Sequence, residues 1–251
     1  MANVILSVNN LSKKHTDDFG FTSQLFEELN FSMDESLFTT ILAPLGSGKS
    51  SLLKILAGFD KSYSGEINST GEKVAYLHNE PNSFPWLSVK ENVTFGNTSL
   101  SADKISDAIK FCGLEGYEDH HPNNKSIGFR FRISLARVLA NDFELILIDE
   151  HFSKVDSGYK IELYNLVHQL ITERNIAVLL ATSNISEAVY LSDKIIVMTK
   201  NPCTIIHELN IDRSNLSKRN SLTNEELLKY KKEIEDKIHD SKQDKFFTYN
   251  V

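Results

Sequence analysis

A nine-residue run, Ala43-Pro44-Leu45-Gly46-Ser47-Gly48-Lys49-Ser50-Ser51, constrains this chain more than any other feature. It follows an extended apolar segment, Leu37-Phe38-Thr39-Thr40-Ile41-Leu42, and precedes the helical spacing of Leu52, Leu53, Ile55 and Leu56. A strand, a glycine-rich loop and a helix opening on Gly-Lys-Ser together make a phosphate-binding loop. Its backbone N–H groups and the helix N-terminus point at anionic oxygens. Lys49 reaches the β and γ phosphates of a nucleoside triphosphate, and the Ser50 hydroxyl suits Mg²⁺. The pattern asks for glycine where Ala43 stands. A positive φ there costs alanine about 1–2 kcal/mol, and a negative φ costs it almost nothing.

At 251 residues the chain can bury one large core, or one core plus a small appendage. Its 41% hydrophobic and 24% charged residues are those of a soluble globular protein. The 27 basic against 34 acidic residues, a net −7, argue against a general grip on nucleic acid. Cys112 and Cys203 match no disulfide or zinc spacing, which predicts a reducing compartment. The N-terminus lacks the basic start and long apolar core of a signal peptide, and no apolar run approaches the ~20 residues of a membrane span. Any membrane role is therefore expected to be peripheral.

The order of elements predicts an α/β fold. Short extended segments at Val4–Val8 and Leu29–Met33, with a turn at Asp17-Asp18-Phe19-Gly20, lead into the strand before the loop. The helix opening at Lys49 stops at Gly58. Strands are expected at Ser64–Ile67 and Lys73–Leu77, then a polar loop from Asn79 to Trp86 and helical spacing through Val89–Val93 and Ile105–Phe111. Ser134–Ala140 reads as helix and Leu145–Ile148 as a buried strand ending in Asp149-Glu150. A helix (Tyr159–Thr172), a strand (Ala177–Thr182), a helix (Ser186–Leu191) and a strand (Lys194–Met198) follow, and this alternation implies a parallel sheet. Beyond about Asn220, a capping box from Thr223 to Glu226 opens a charged helix with Leu227, Tyr230, Ile234 and Ile238 on one face. That helix reads either as docked on the main domain or as an arm for a partner.

The strand ending in Asp149-Glu150 supplies the other half of the site. Asp149 is placed to face Mg²⁺, and Glu150 to polarise an attacking water.

The succession Lys49-Ser50, Pro85-Trp86, His121-Pro122, Ala136-Arg137-Val138-Leu139-Ala140, Leu147-Ile148-Asp149-Glu150 and Ser153-Lys154-Val155-Asp156 resembles the ATP-binding subunit of an ABC transporter over roughly residues 1–215. The segments Phe84–Val93 and Ser186–Asp193 resemble importers of the nitrate, sulfonate and taurine type. The resemblance implies a P-loop NTPase fold of the ABC type, with a mainly parallel core sheet, a small antiparallel β subdomain and a helical subdomain at about 80–140, followed by a tail at 216–251. It implies ATP and Mg²⁺ as ligands and a head-to-tail dimer with a second ATP-binding subunit, each ATP lying between one chain's lysine loop and the other's signature segment. It further implies an integral membrane permease, a substrate-binding protein as a further component, and a place on the cytoplasmic face of the membrane. Residue by residue, it assigns adenine stacking to His15, water activation to Glu150, a dimer contact to Asp156 and permease contact to an exposed Trp86-Leu87 pair, for which ordinary core packing is the alternative.

Several positions depart from the family pattern. The signature L-S-G-G-Q falls on Lys125-Ser126-Ile127-Gly128-Phe129, which keeps Ser126 and Gly128. Ile127 is the sharper departure, since a β-branched residue resists positive φ and its side chain obstructs close approach. The glutamine expected to sense Mg²⁺ and water is Asn79, shorter by roughly 1.5 Å. The histidine expected after the strand 177–182 is Ser183, which hydrogen-bonds but carries no charge. Binding groups are thus kept while γ-phosphate sensors change. Two readings follow: a transporter ATPase with weakened hydrolysis, or a non-catalytic nucleotide-binding partner of a competent ATPase. A DNA-repair or translation role fits poorly, with one nucleotide domain and no basic excess. His120-His121 lacks further ligands for a metal, and Phe129-Arg130-Phe131-Arg132 begins a helix rather than a nucleic-acid platform.

Overall fold

A computed structural model describes residues 3–16, 19–35, 37–69, 73–80, 83–123, 125–200, 202–212 and 224–241. Strands β1 (Val4–Thr16), β2 (Thr22–Asp34) and β4 (Ser64–Ser69) form an antiparallel sheet in the order β2-β1-β4. A second sheet runs β5 (Val74–Leu77), β6 (Leu145–Asp149), β7 (Ala177–Thr182), β3 (Phe38–Leu42), β8 (Lys194–Met198) and β9 (Ile205–Asn210). Its first five strands are parallel, and β9 pairs antiparallel with β8. Helices α1 (Lys49–Leu56), α2 (Val89–Thr94), α3 (Ala102–Phe111), α4 (Ile127–Leu139), α5 (Ser157–Arg174), α6 (Ile185–Leu191) and α7 (Asn224–Asp240) complete the fold.

Strand alternation sorts the core into layers. In β6, Leu145 and Leu147 pack with α1 and the three-stranded sheet, whereas Ile146 and Ile148 pack with α2 to α5. β7 repeats this with Leu179 on the α1 side and Val178 and Leu180 on the other. Both faces are covered, so these strands read as continuous apolar runs. The two sheets meet where Cys203 N donates to Leu25 O at 2.9 Å. β3 sits between β7 and β8, so the loop after it opens at the carboxyl end of the sheet, where ligands of open α/β sheets bind.

Three expectations change. The N-terminal segments are not short. They are two 13-residue strands whose register shifts at several bulges, and bulges break the clean alternation that reveals a long strand. α4 begins at Ile127, ahead of the expected start at Phe129 and of the Ser134–Ala140 stretch, because Ser126 caps it by accepting from Phe129 N at 3.2 Å. β9 is an addition, since its half-buried residues carry little apolar pattern. The turn at Asp17-Asp18 and the capping box at Thr223 lie outside the described residues, although Phe19-Gly20 does turn.

Helix α7 docks on α6 and β9: Ile234 and Ile238 are buried with Ile185, Val189 and Leu209, with Leu227 and Tyr230 packed at the edge. Ile234→Ala removes a fully buried side chain and is expected to cost about 2–5 kcal/mol. A thermal melt that leaves the midpoint unchanged would mean that α7 lies outside the cooperative unit.

Candidate nucleotide site

The lysine loop adopts the geometry its glycines allow. Gly46 and Gly48 have φ of +72° and +94°. A Cβ on Gly48 would stand 2.9 Å from Leu25 and Phe26 side-chain atoms, so this glycine serves both turn and packing. Ala43 is buried and is not among the residues with positive φ, and its N–H donates to Thr182 O at 3.1 Å. Alanine in place of glycine therefore carries no backbone strain here. Pro44, Leu45 and Ser47 complete the turn into α1, whose first turn carries Lys49, Ser50 and Ser51.

Lys49 is almost fully buried. Its Nζ donates to Ala43 O and Pro44 O, each at 2.9 Å, and pairs with Glu150 Oε1 at 2.8 Å. Glu150 holds a positive φ of 41°, a conformation costing a non-glycine residue about 1–3 kcal/mol. It is pinned by its own N–H to Ala181 O at 2.9 Å. Ser47 Oγ in the lysine loop, Asn79 Oδ1 just after β5 and Asp149 Oδ1 at the end of β6 are buried without a hydrogen-bond partner. Buried polar atoms normally find partners, so these fit the oxygens and cation of a metal–nucleotide complex. Asp149 Oδ1 and the Ser50 hydroxyl are the oxygens suited to Mg²⁺.

Asp149 Oδ2 accepts from Tyr76 Oη at 2.9 Å. Burial, then the Asp149 charge, pushes the phenol well above its ordinary range and keeps it a donor. His151, two residues on, places Nδ1 2.7 Å from His78 O, and its ring lies 4.5 Å from that of Phe131 on α4. Burial draws its pKa down to about 4, so the ring is neutral near pH 7, and the carbonyl partner requires the proton on Nδ1. This single imidazole ties His78, next to Asn79, to the strand end at Glu150 and to α4. Lys200 brings a second cation to the loop, donating to Leu45 O at 2.9 Å. Sequence reasoning missed Tyr76, His151 and Lys200. A histidine directly after Asp149-Glu150 was the one visible signal.

Other expected positions lie apart from Lys49. His15 is exposed on β1 opposite Ser23. Ser126, Ile127 and Gly128 open α4. Ile127 is helical rather than left-handed, so the objection from positive φ falls and only its bulk remains. Gly128 is buried, and a Cβ there would stand 2.0 Å from Tyr159 Cε1, which gives this glycine a packing reason of its own. Asp156 is exposed at the start of α5 and makes no side-chain capping bond. Trp86 is 69% exposed, but Leu87 is half-buried, so the expected exposed pair reduces to the tryptophan.

Ser183 is buried at the end of β7, beside a tight network. Glu187 accepts from Tyr164 Oη at 2.9 Å and from Thr182 Oγ1 at 2.5 Å, while Asn184 Oδ1 caps α6 by accepting from Glu187 N. Burial raises the Glu187 pKa despite the two hydroxyl donors.

The ABC transporter family pattern matches residues 26–153. An aliphatic sulfonates import ATP-binding protein of Bacillus cereus is 33% identical over 208 residues, 78% of this chain and 82% of its own. Its counterpart in Pseudomonas syringae pv. tomato is 36% identical over 186 residues, 74% and 80% of the two chains. Among solved structures, cbiO1 from Clostridium perfringens, part of the ABC transporter complex cbiONQ, superposes with a TM-score of 0.73 at 24% identity, over 83% of this chain and 89% of that one. A dimeric ATP-binding cassette bound to ADP and Pi gives 0.70 at 24% identity, over 82% and 99%. At this identity the structural matches speak for the fold.

The raised Glu187 pKa sets a pH dependence. As pH climbs past the unfolded value, the unfolded chain releases this proton first and is thereby stabilised, so the wild type loses stability up to the folded pKa. Glu187→Gln removes the ionisation. The wild-type melting temperature minus that of Glu187→Gln is expected to fall from pH 4 towards pH 7, and a flat difference would contradict the assignment.

Proposed function

The chain belongs to the ABC transporter family, and from that premise we propose that it is the ATP-binding subunit of an importer, closing on MgATP with a second such subunit and driving a membrane permease. The observation that carries this reading is the buried Lys49 ammonium, met by two loop carbonyls and by the Glu150 carboxylate at the end of β6. No described helix is long and apolar enough to cross a membrane, which suits a subunit that acts on a separate permease. The names of its relatives make small aliphatic sulfonates the first cargo class to test.

Asp149 and Ser50 would hold Mg²⁺, which would supply charge neutralisation at the phosphates. Lys49 exchanges its contacts with the loop carbonyls and with Glu150 for phosphate oxygens as the triphosphate enters. Glu150, now paired with Lys49, is released by that exchange to orient water. His15 lies on the exposed end of β1, free to stack on the base. Ser126 keeps an O–H to donate across a dimer, and Asp156 is exposed for the same interface.

A groove of about 330 Å³ along the edge strand β5 suits the permease. Phe59 and Phe95, both largely exposed, flank it, and Phe95 stacks on Phe84, which in turn meets Trp86. An aromatic rim of this kind anchors a short helix better than scattered aliphatic residues.

The shortened Asn79, the bulk of Ile127 and the uncharged Ser183 favour weakened hydrolysis, since each altered transition-state contact costs about 10²–10³ in rate. They also support the second reading, a nucleotide-binding regulatory partner of a competent ATPase. In a heterodimer with a complete partner the defects separate: this chain's lysine loop lacks its sensors, and the opposite site lacks only a full signature.

MgATP binding and turnover by the purified chain test this. Lys49→Ala is expected to weaken binding by about 10- to 100-fold. Turnover near ~1 s⁻¹ or above, lost in Lys49→Ala and Glu150→Gln, marks a working ATPase. Binding without Glu150-dependent turnover marks the regulatory subunit. No binding by the wild type overturns both. In a heterodimer, mutating the partner's lysine is expected to remove most turnover; equal losses from either chain's lysine would sink the asymmetry.

A further inference from the structure

Parallel pairing sets Tyr76 of β5 opposite Leu147 of β6. Asp149 lies two residues further along β6, on the same α1-facing side of the sheet, because strand side chains alternate. The diagonal neighbour of Tyr76 is therefore the carboxylate that the nucleotide reading assigns to the cation. The hydroxyl meets Oδ2 at 2.9 Å, and Oδ1 is left buried with no partner. One oxygen is thus fixed by the protein and the other is presented. The Tyr76 ring is itself held edge-on by Phe59 at 6.0 Å and by His78 at 5.9 Å, so the donor has little freedom to swing away.

We infer that Tyr76 is a positioning residue for the cation site: its hydroxyl locks the Asp149 rotamer with Oδ1 turned to the metal. This rests on the nucleotide-binding reading above. Outer partners that orient a ligating carboxylate typically account for about 10–100-fold in metal affinity. The lock also settles a conflict within the site. The ammonium of Lys49 pairs with Glu150 and not with the neighbouring Asp149. With Oδ2 satisfied by a neutral donor, Asp149 keeps its charge available to a divalent ion.

Tyr76→Phe keeps the ring and removes the donor. The affinity of the full chain for a slowly hydrolysed ATP analogue is measured at saturating Mn²⁺ and again in EDTA, with Mn²⁺ as the probe ion because carboxylate and hydroxyl oxygens suit it as they suit Mg²⁺. The variant is expected to lose about tenfold or more in Mn²⁺ and to match the wild type in EDTA. A thermal melt records any folding cost separately. Equal affinities in both conditions overturn the inference, and so does a parallel loss in both, which marks a general packing role. If the wild type binds the analogue in neither condition, the nucleotide reading fails instead, and the two failures are distinguishable.

Discussion

A buried ammonium sets the terms for this fold. Placing Lys49 at the start of α1 with almost no solvent contact costs several kcal/mol unless its three donors are met. Two loop carbonyls and one carboxylate meet them. The carbonyls of Ala43 and Pro44 turn inward only because the following glycines take left-handed conformations. The carboxylate reaches in only because Glu150 accepts a strained φ at the end of β6. The loop, the helix and the strand end are therefore solutions to one electrostatic requirement, and a phosphate inherits a site built around that charge.

The same logic explains what was legible in the residues alone. A glycine-rich run between a strand and a helix, and an acidic pair after four apolar residues, have local signatures, so the places of Lys49 at the start of α1 and of Asp149-Glu150 at the end of β6 can be read directly from their neighbours in the chain. The parallel sheet follows from alternation of elements. Tyr76 and His151 escape such reading because their roles depend on register: nothing in Val74-Ala75-Tyr76-Leu77 says that β5 pairs with β6 so as to bring its phenol beside Asp149. Ile127 departs from expectation for a related reason. The family pattern suggests a left-handed backbone there, whereas Ser126 captures Phe129 N and makes Ile127 the first residue of a helix.

The arrangement of groove and site is physically economical. The Phe59–Tyr76 contact opens on the groove, and the Tyr76 hydroxyl ends on Asp149. On the far side of the same strand end, His151 joins His78 O to the Phe131 ring. The residues flanking Asn79 are thus fixed from two directions, through a phenol to the α1 face and through an imidazole to the α4 face. Any movement of this loop must be shared with α4 or with the carboxylates, since packed interiors shift between discrete arrangements rather than yielding smoothly.

The departures from the family pattern carry a further consequence, because folding stability is indifferent to most of them. Ala43 sits at a φ that suits any residue, Ile127 occupies an ordinary first helical turn, and Ser183 is small enough for its buried position beside the Glu187 network. Asn79 has a buried oxygen that the protein itself does not satisfy. Ala43 lies in the buried core and Ile127 packs at its edge, and neither takes a strained backbone. On the proposed reading, what the departures alter is the chemistry presented to a third phosphate and to a facing subunit. Gly128 is the instructive opposite: it keeps the family residue, yet the ring of Tyr159 alone would exclude any side chain there. Retention of a signature residue in this chain is therefore weaker testimony to catalysis than its loss is to altered catalysis, and on the proposed reading the site leans towards holding ATP rather than cleaving it.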